Sequence, residues 1–120
     1  MSFKPFYDIL HFNMNPNPSQ IMNINFTARK FEASQNLQDF TTEEINKLKR
    51  FFDRIYSCDI VLEPSPDNDN PAKAELTVKV KQDLLKATEA GPAYEQAVRS
   101  AVDNMRRQLL KYKDKRFSRN

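Results

Sequence analysis

The segment AKAELTVKVK (72–81) limits the possible folds of this chain more than any other part of the sequence. Ala74, Leu76, Val78 and Val80 alternate with residues that are polar and mostly charged. Successive side chains of a strand point to opposite faces of its sheet, so this pattern predicts a strand with one buried and one solvated face. A sheet of this kind needs a second layer of structure over its apolar face.

Three further segments have the character of strands. MNINFTAR (22–29) alternates in the same way, SCDIVLEP (57–64) ends at a proline, and LLKATEA (84–90) follows a short turn. Between the second and third strands lies PSPDNDNP (64–71), whose proline, aspartate and asparagine residues are typical of a loop. The sequence therefore predicts a sheet of four strands.

Two segments have helical spacing and can supply the second layer. The first is SQNLQDFTTEEINKLKRFFDRI (34–55), with Ser34 as its predicted N-cap, and the second extends from 93 to about 115. The apolar face of the second helix consists of Tyr94, Ala97, Val98, Ala101, Val102, Met105, Leu109 and Tyr112. The order β-α-β-β-β-α predicts an α+β fold in which two helices pack on one face of a four-stranded sheet.

Length and composition predict one domain preceded by an arm. The chain has 120 residues, of which 39% are hydrophobic, and this is the size of a single domain. Residues 1–21 include NMNPNPSQ, which has no hydrophobic period. We therefore expect a flexible N-terminal arm at 1–21, a globular domain at 22–116 and a basic C-terminal tail at 117–120.

Few residues are available for catalysis or for binding a cofactor. One glycine cannot form a glycine-rich phosphate loop, and one cysteine with one histidine cannot form a structural zinc site. His11 lies in the expected arm, and Cys58 lies on the inward side of its strand, where we expect a small buried side chain. We expect no enzyme, no cofactor and no metal.

The same features bear on the location of the protein. A single cysteine fits a reducing cytoplasm, and no apolar run approaches the ~20 residues of a membrane-spanning helix. We expect a cytoplasmic protein without a membrane partner or a small-molecule substrate.

Positive charge is concentrated at one end of the chain. Residues 99–120 contain eight Lys or Arg and two Asp, so they carry +6, whereas the net charge of the whole chain is +3. A helical wheel places several cations opposite the two core faces, namely Lys47, Arg50, Arg54, Arg107 and Lys111. Two such faces in one layer can form a surface for a phosphate backbone. The alternative is a solvated helix whose cations complement its dipole.

Several segments resemble the bacterial ribosome hibernation-promoting factors. They are KLKRFFDRI (47–55), AYEQAV (93–98) and RQLLKYKDK (107–115), with the alternating strands between the first two. This family includes the ribosome-associated inhibitor of translation and the proteins once called sigma-54 modulation proteins, and the resemblance extends from Met22 to about Arg116. It implies the same β-α-β-β-β-α fold, which is similar to that of double-stranded RNA-binding domains.

The resemblance also implies a function. Such proteins bind the small ribosomal subunit in the channel for mRNA and tRNA, block translation and store idle ribosomes under stress or in stationary phase. Basic residues of the two helices contact rRNA phosphates. The corresponding candidates here are Lys47, Arg50, Arg54, Arg106, Arg107, Lys111, Lys113 and Lys115. Arg106 stands where relatives commonly have a residue that is not basic.

The chain resembles the short form of the family. Other members have a second domain that pairs ribosomes, or an acidic tail, and we expect neither of them in this protein. Short forms can support ribosome dimers with a separate helper protein. Two other functions remain open at this point: a general domain for structured RNA, and a protein-interaction regulator of transcription.

Overall fold

The computed structural model describes the backbone of residues 23–117 and the side chains of residues 23–114. The expected arm at 1–21 and the last residues of the expected tail, 118–120, lie outside the described residues, so the division into arm, domain and tail stays a prediction. The described elements are β1 (Asn23–Ala28), α1 (Gln35–Asn46), a 3₁₀ turn (Lys47–Arg50), β2 (Ser57–Pro64), β3 (Ala72–Lys79), β4 (Leu84–Gly91) and α2 (Tyr94–Phe117). The predicted order β-α-β-β-β-α is confirmed.

The four strands form one mixed sheet in the order β1-β2-β3-β4. β1 is parallel to β2, and the other neighbouring pairs are antiparallel. Phe26, Ile60, Leu76 and Ala87 form one row across all four strands on the face that the helices cover. Ile60 and Leu76 are completely buried, as the alternation of β3 predicts for its inward positions.

The opposite face of the sheet is polar and carries cross-strand pairs. Asn25 Nδ2 donates a hydrogen bond of 2.7 Å to Asp59 Oδ1 on the neighbouring strand. Lys73 and Glu63 are direct cross-strand neighbours, with 3.3 Å between Nζ and Oε2. These pairs suit a face that meets solvent, because opposite charges and amide groups across neighbouring strands stabilise a sheet modestly.

Helix α2 packs against the antiparallel half of the sheet. Its predicted apolar face is confirmed, since Ala97, Val98, Met105 and Leu109 are buried in the core. Two polar side chains of α2 also bond to the edge strand: Asn104 Nδ2 donates to Glu89 Oε2 at 2.8 Å, and Gln108 Nε2 donates to the backbone oxygen of Lys86 at 2.8 Å. These hydrogen bonds fix the position of the helix along β4.

Helix α1 begins as predicted but ends early. The hydroxyl of Ser34 accepts a hydrogen bond of 3.1 Å from the backbone N–H of Leu37, which is an N-cap. The predicted helical end at 55 is wrong, because α1 ends at Asn46 and continues only as the 3₁₀ turn before irregular backbone at 51–56. Steps of three residues occur in α and 3₁₀ helices alike, so the apolar spacing could not distinguish them.

The single cysteine has the buried position that the strand pattern predicts. Cys58 is inaccessible to solvent, and burial raises the pKa of its thiol to about 12, with a smaller contribution from the negative charge of Asp59. A thiol of this kind is protonated and inert at neutral pH. Within residues 23–117, no helix is long and apolar enough to cross a membrane.

Candidate nucleic-acid interface

A basic cleft of about 250 Å³ lies between the segment that follows α1 and the C-terminal part of α2. One wall comes from residues 49–54 and the other includes Lys113. The cations that line it are Lys49, Arg50, Arg54 and Lys113, and they face one carboxylate, that of Asp53. Four cations beside one carboxylate give the cleft a net positive charge, which attracts anions such as a phosphate backbone.

Aromatic packing anchors the irregular segment that forms one wall of the cleft. Phe52 is buried and meets Tyr112 edge to face, with 5.6 Å between the ring centroids and 88° between the ring planes. This contact anchors the irregular segment to α2, and the buried Ile55 anchors it again before β2. The side chains of Arg50 and Arg54, on either side of this apolar anchor, are exposed at the cleft.

Phe51 forms part of the cleft wall and is only partly buried. The guanidinium carbon of Arg106 lies 5.6 Å from the centroid of its ring, which is within the range of a cation–π interaction. Arg106 therefore adjoins the wall of the cleft through its contact with the ring of Phe51.

Asp103 partly neutralises the adjoining surface of α2. Its carboxylate pairs with Arg106, at 3.0 Å from Nη2, and with Arg107. The hydrogen bond from Arg106 is the main cause of the lowered pKa of Asp103, and Arg107 lowers it further. Because all three side chains are at least one-third exposed, these ion pairs are weak in water.

The structure brings together only some of the candidates predicted from the sequence. Arg50, Arg54 and Lys113 line the cleft, and Arg106 adjoins it. Three other candidates do not line the cleft. Lys47 pairs with Glu44 at 2.8 Å, Arg107 pairs with Asp103, and Lys111 is exposed. Lys115 belongs to α2, but its side chain lies outside the described residues.

Lys49 is a cleft residue that the sequence interpretation missed. The helical wheel of a continuous helix does not place it with Lys47 and Arg50, because successive residues of an α-helix are rotated by about 100°. The structure has a 3₁₀ turn at Lys47–Arg50 and irregular backbone after it instead of a continuous α-helix, and Lys49 lines the cleft. The only available signal was the run KLKR itself, at 47–50.

The fold and the cleft together define a small α+β domain that offers cations and an aromatic ring at the junction of its two helical segments. The sequence model of the family described as "Sigma 54 modulation protein / S30EA ribosomal protein" matches residues 24–116. The chain belongs to this family, and the resemblance identified from its sequence is confirmed.

A relative of similar sequence agrees with this membership, and two solved structures share the fold. A ribosome hibernation promoting factor of Klebsiella oxytoca is 32% identical over 94 residues, which are 78% of this chain and 96% of that protein. The N-terminal domain of Protein Y of Thermus thermophilus has a similar fold, with a TM-score of 0.67 and 24% identity over 76% of this chain and 99% of that one. A ribosomal subunit interface protein of Coxiella burnetii also shares the fold, with a TM-score of 0.68 and 18% identity over 78% and 98% of the two chains.

Proposed function

We propose that this protein is a ribosome hibernation factor that binds the small ribosomal subunit, blocks translation and stores idle ribosomes. Its family and the name of its relative from Klebsiella oxytoca support this proposal. The observation that carries it is the basic cleft, in which Arg50, Arg54 and Lys113 converge from two distant parts of the sequence. We propose rRNA phosphates in the channel for mRNA and tRNA as the ligand of this cleft.

The side chains of the cleft have complementary roles in binding phosphate. The planar guanidinium groups of Arg50 and Arg54 can each donate two hydrogen bonds to one phosphate, whereas the ammonium group of Lys113 acts as a compact charge. Lys47, Arg106, Arg107, Lys111 and Lys115 would contact phosphates around the cleft. Their contribution to affinity is electrostatic and falls with rising salt concentration.

The proposed mechanism is occupation of a site rather than catalysis. A protein held on the decoding channel excludes mRNA and tRNA by its volume, so it requires no cofactor and transforms no substrate. Because its target is the ribosome, we place its action in the cytoplasm. A separate helper protein for ribosome dimers is part of the same proposal.

Sedimentation through sucrose tests this function. Purified protein is mixed with small subunits, large subunits or whole ribosomes at increasing salt, with an excess of duplex RNA as competitor. We expect co-sedimentation with small subunits and whole ribosomes that survives the competitor and is lost at high salt. Binding that the duplex removes would indicate a general RNA-binding domain instead, and protein that stays at the top of the gradient at low salt would refute the proposal.

A further inference from the structure

Two phenylalanine–arginine pairs connect α2 with α1 and with the segment that follows α1. Arg99 lies 5.3 Å from the ring centroid of Phe40, and Arg106 lies 5.6 Å from that of Phe51. The two arginines are seven residues apart, or about two helical turns, so they lie along the same side of α2. Of the two rings, only that of Phe51 lines the basic cleft. The pairs have similar geometry but different surroundings.

The position of Phe51 is not explained by core packing. Its neighbour Phe52 is buried against Tyr112, whereas Phe51 is only partly buried and contributes to the surface of the cleft beside Arg50 and Lys113. Cations alone are sufficient to hold the phosphates of a duplex. An aromatic ring among cations is instead the arrangement by which proteins hold unpaired nucleotides, whose bases stack on the ring.

We propose that Phe51, with Arg106 over one face of its ring, is a stacking platform for an unpaired base of the RNA whose phosphates occupy the cleft. This inference rests on the proposed function and specifies its ligand as a single-stranded or bulged RNA segment. Stacking is tolerant of sequence because every base has an aromatic face. Arg106 also pairs with Asp103, with 3.0 Å between Nη2 and Oδ1.

The test compares the same substitution at the two phenylalanines. Small ribosomal subunits are titrated with the wild-type protein, Phe51→Leu and Phe40→Leu, and the bound fraction is measured by sedimentation. We expect Phe51→Leu to weaken binding by about 5- to 150-fold, the range found for loss of one base–aromatic stack. Phe40→Leu removes the matched cation–π pair away from the cleft and should change binding by less than about 2-fold. The salt dependence should be unchanged in both variants, because neither loses a charge.

Fluorescence gives a second measurement that does not depend on affinity. The chain contains no tryptophan, so Phe51→Trp and Phe40→Trp each introduce a single fluorophore. We expect small subunits to quench Trp at position 51 through base stacking and to leave Trp at position 40 close to its unbound intensity. If Phe51→Leu fails to fold, as judged by its thermal transition, the pair of Trp variants decides the question.

The outcomes separate this inference from the proposed function. Equal losses in the two leucine variants, unchanged binding of Phe51→Leu, or absence of selective quenching at position 51 would each overturn the stacking platform. In those cases Arg50→Gln and Lys113→Gln would still weaken binding if the proposed function is right. If the wild-type protein itself does not bind small subunits, the proposed function fails.

Discussion

The cleft predicts how ribosome binding depends on salt when its cations are removed. Arg50→Gln and Lys113→Gln each delete one positive charge from a different wall. Both side chains are exposed, so each substitution should change the free energy of unfolding by less than about 0.5 kcal/mol. Any change in binding then reports the contact with RNA rather than damage to the fold.

The magnitude follows from the number of phosphates that the cleft holds. Each phosphate contact contributes roughly 0.7–0.9 to the slope of log affinity against log salt, so a rise from about 50 to 200 mM salt weakens each contact about 3-fold. If Arg50, Arg54 and Lys113 each neutralise one phosphate, these three contacts make the affinity fall about 30-fold over that range. In the double variant, Arg50→Gln with Lys113→Gln, only the contact of Arg54 remains, and it should make the affinity fall only about 3-fold. The slope itself should fall by roughly 0.7–0.9 for each single variant.

The assay is a titration of small ribosomal subunits at four or more salt concentrations, with Lys79→Gln as the matched control. Lys79 is an exposed residue at the end of β3, on the polar face of the sheet opposite the helices, and its loss changes the net charge by the same amount. We expect its slope to equal that of the wild-type protein. An equal fall in slope for Lys79→Gln and Arg50→Gln would mean that binding responds to net charge alone, and the assignment of the cleft would be refuted.

Three further predictions concern the N-cap, the buried thiol and the carboxylate of α2. Ser34→Ala should lower the free energy of unfolding by about 1 kcal/mol and the melting temperature by about 4–8 °C, whereas Ser34→Asp should keep the wild-type value; equal melting of both variants would contradict the cap. Because the pKa of Cys58 is about 12 in the folded protein and 9.0 when unperturbed, its burial stabilises the fold fully below about pH 9, and this contribution is lost as the pH rises toward 12. Cys58→Ala should lack that part of the pH dependence in equilibrium unfolding, and an identical dependence in both proteins would disprove the assignment. Asp103→Asn should strengthen binding to small subunits by up to about 5-fold, because it releases two arginines, and Glu95→Gln on the same helix should not; weaker binding of Asp103→Asn would show that the carboxylate positions the arginines instead.

The sheet and the second helix were predictable because their sequence patterns have one physical cause. Residues 72–81 alternate because one face of β3 is buried, and the same alternation recurs in its partner strands. The apolar face of α2 keeps helical spacing throughout the stretch that packs on the sheet. Register between strands was not predictable, because alternation fixes which residues face the core but leaves the choice of cross-strand partners open.

The candidate site was only partly predictable. The helical wheel placed Arg50 and Arg54 opposite the core face of the first helix, the family resemblance added Lys113, and all three line the cleft. The wheel treated the first two as parts of a continuous helix, and on that basis Lys49 was omitted. The ion pairs of Asp103 were also beyond sequence reasoning, since they depend on side-chain conformations rather than on spacing alone.

The early end of α1 is what makes a cleft possible. On a continuous helix to 55, the cations would form a convex ridge parallel to the surface of α2. The helix instead ends at Asn46, and the 3₁₀ turn with the buried Phe52 draws the chain inward against α2. Residues 49–54 therefore form a concave wall opposite Lys113, with Phe51 between cations. A concave site can contact a nucleotide through its phosphate and its base at once, whereas a ridge reaches the backbone alone. Under the proposed function, the irregular segment rather than the helix face therefore selects the kind of RNA.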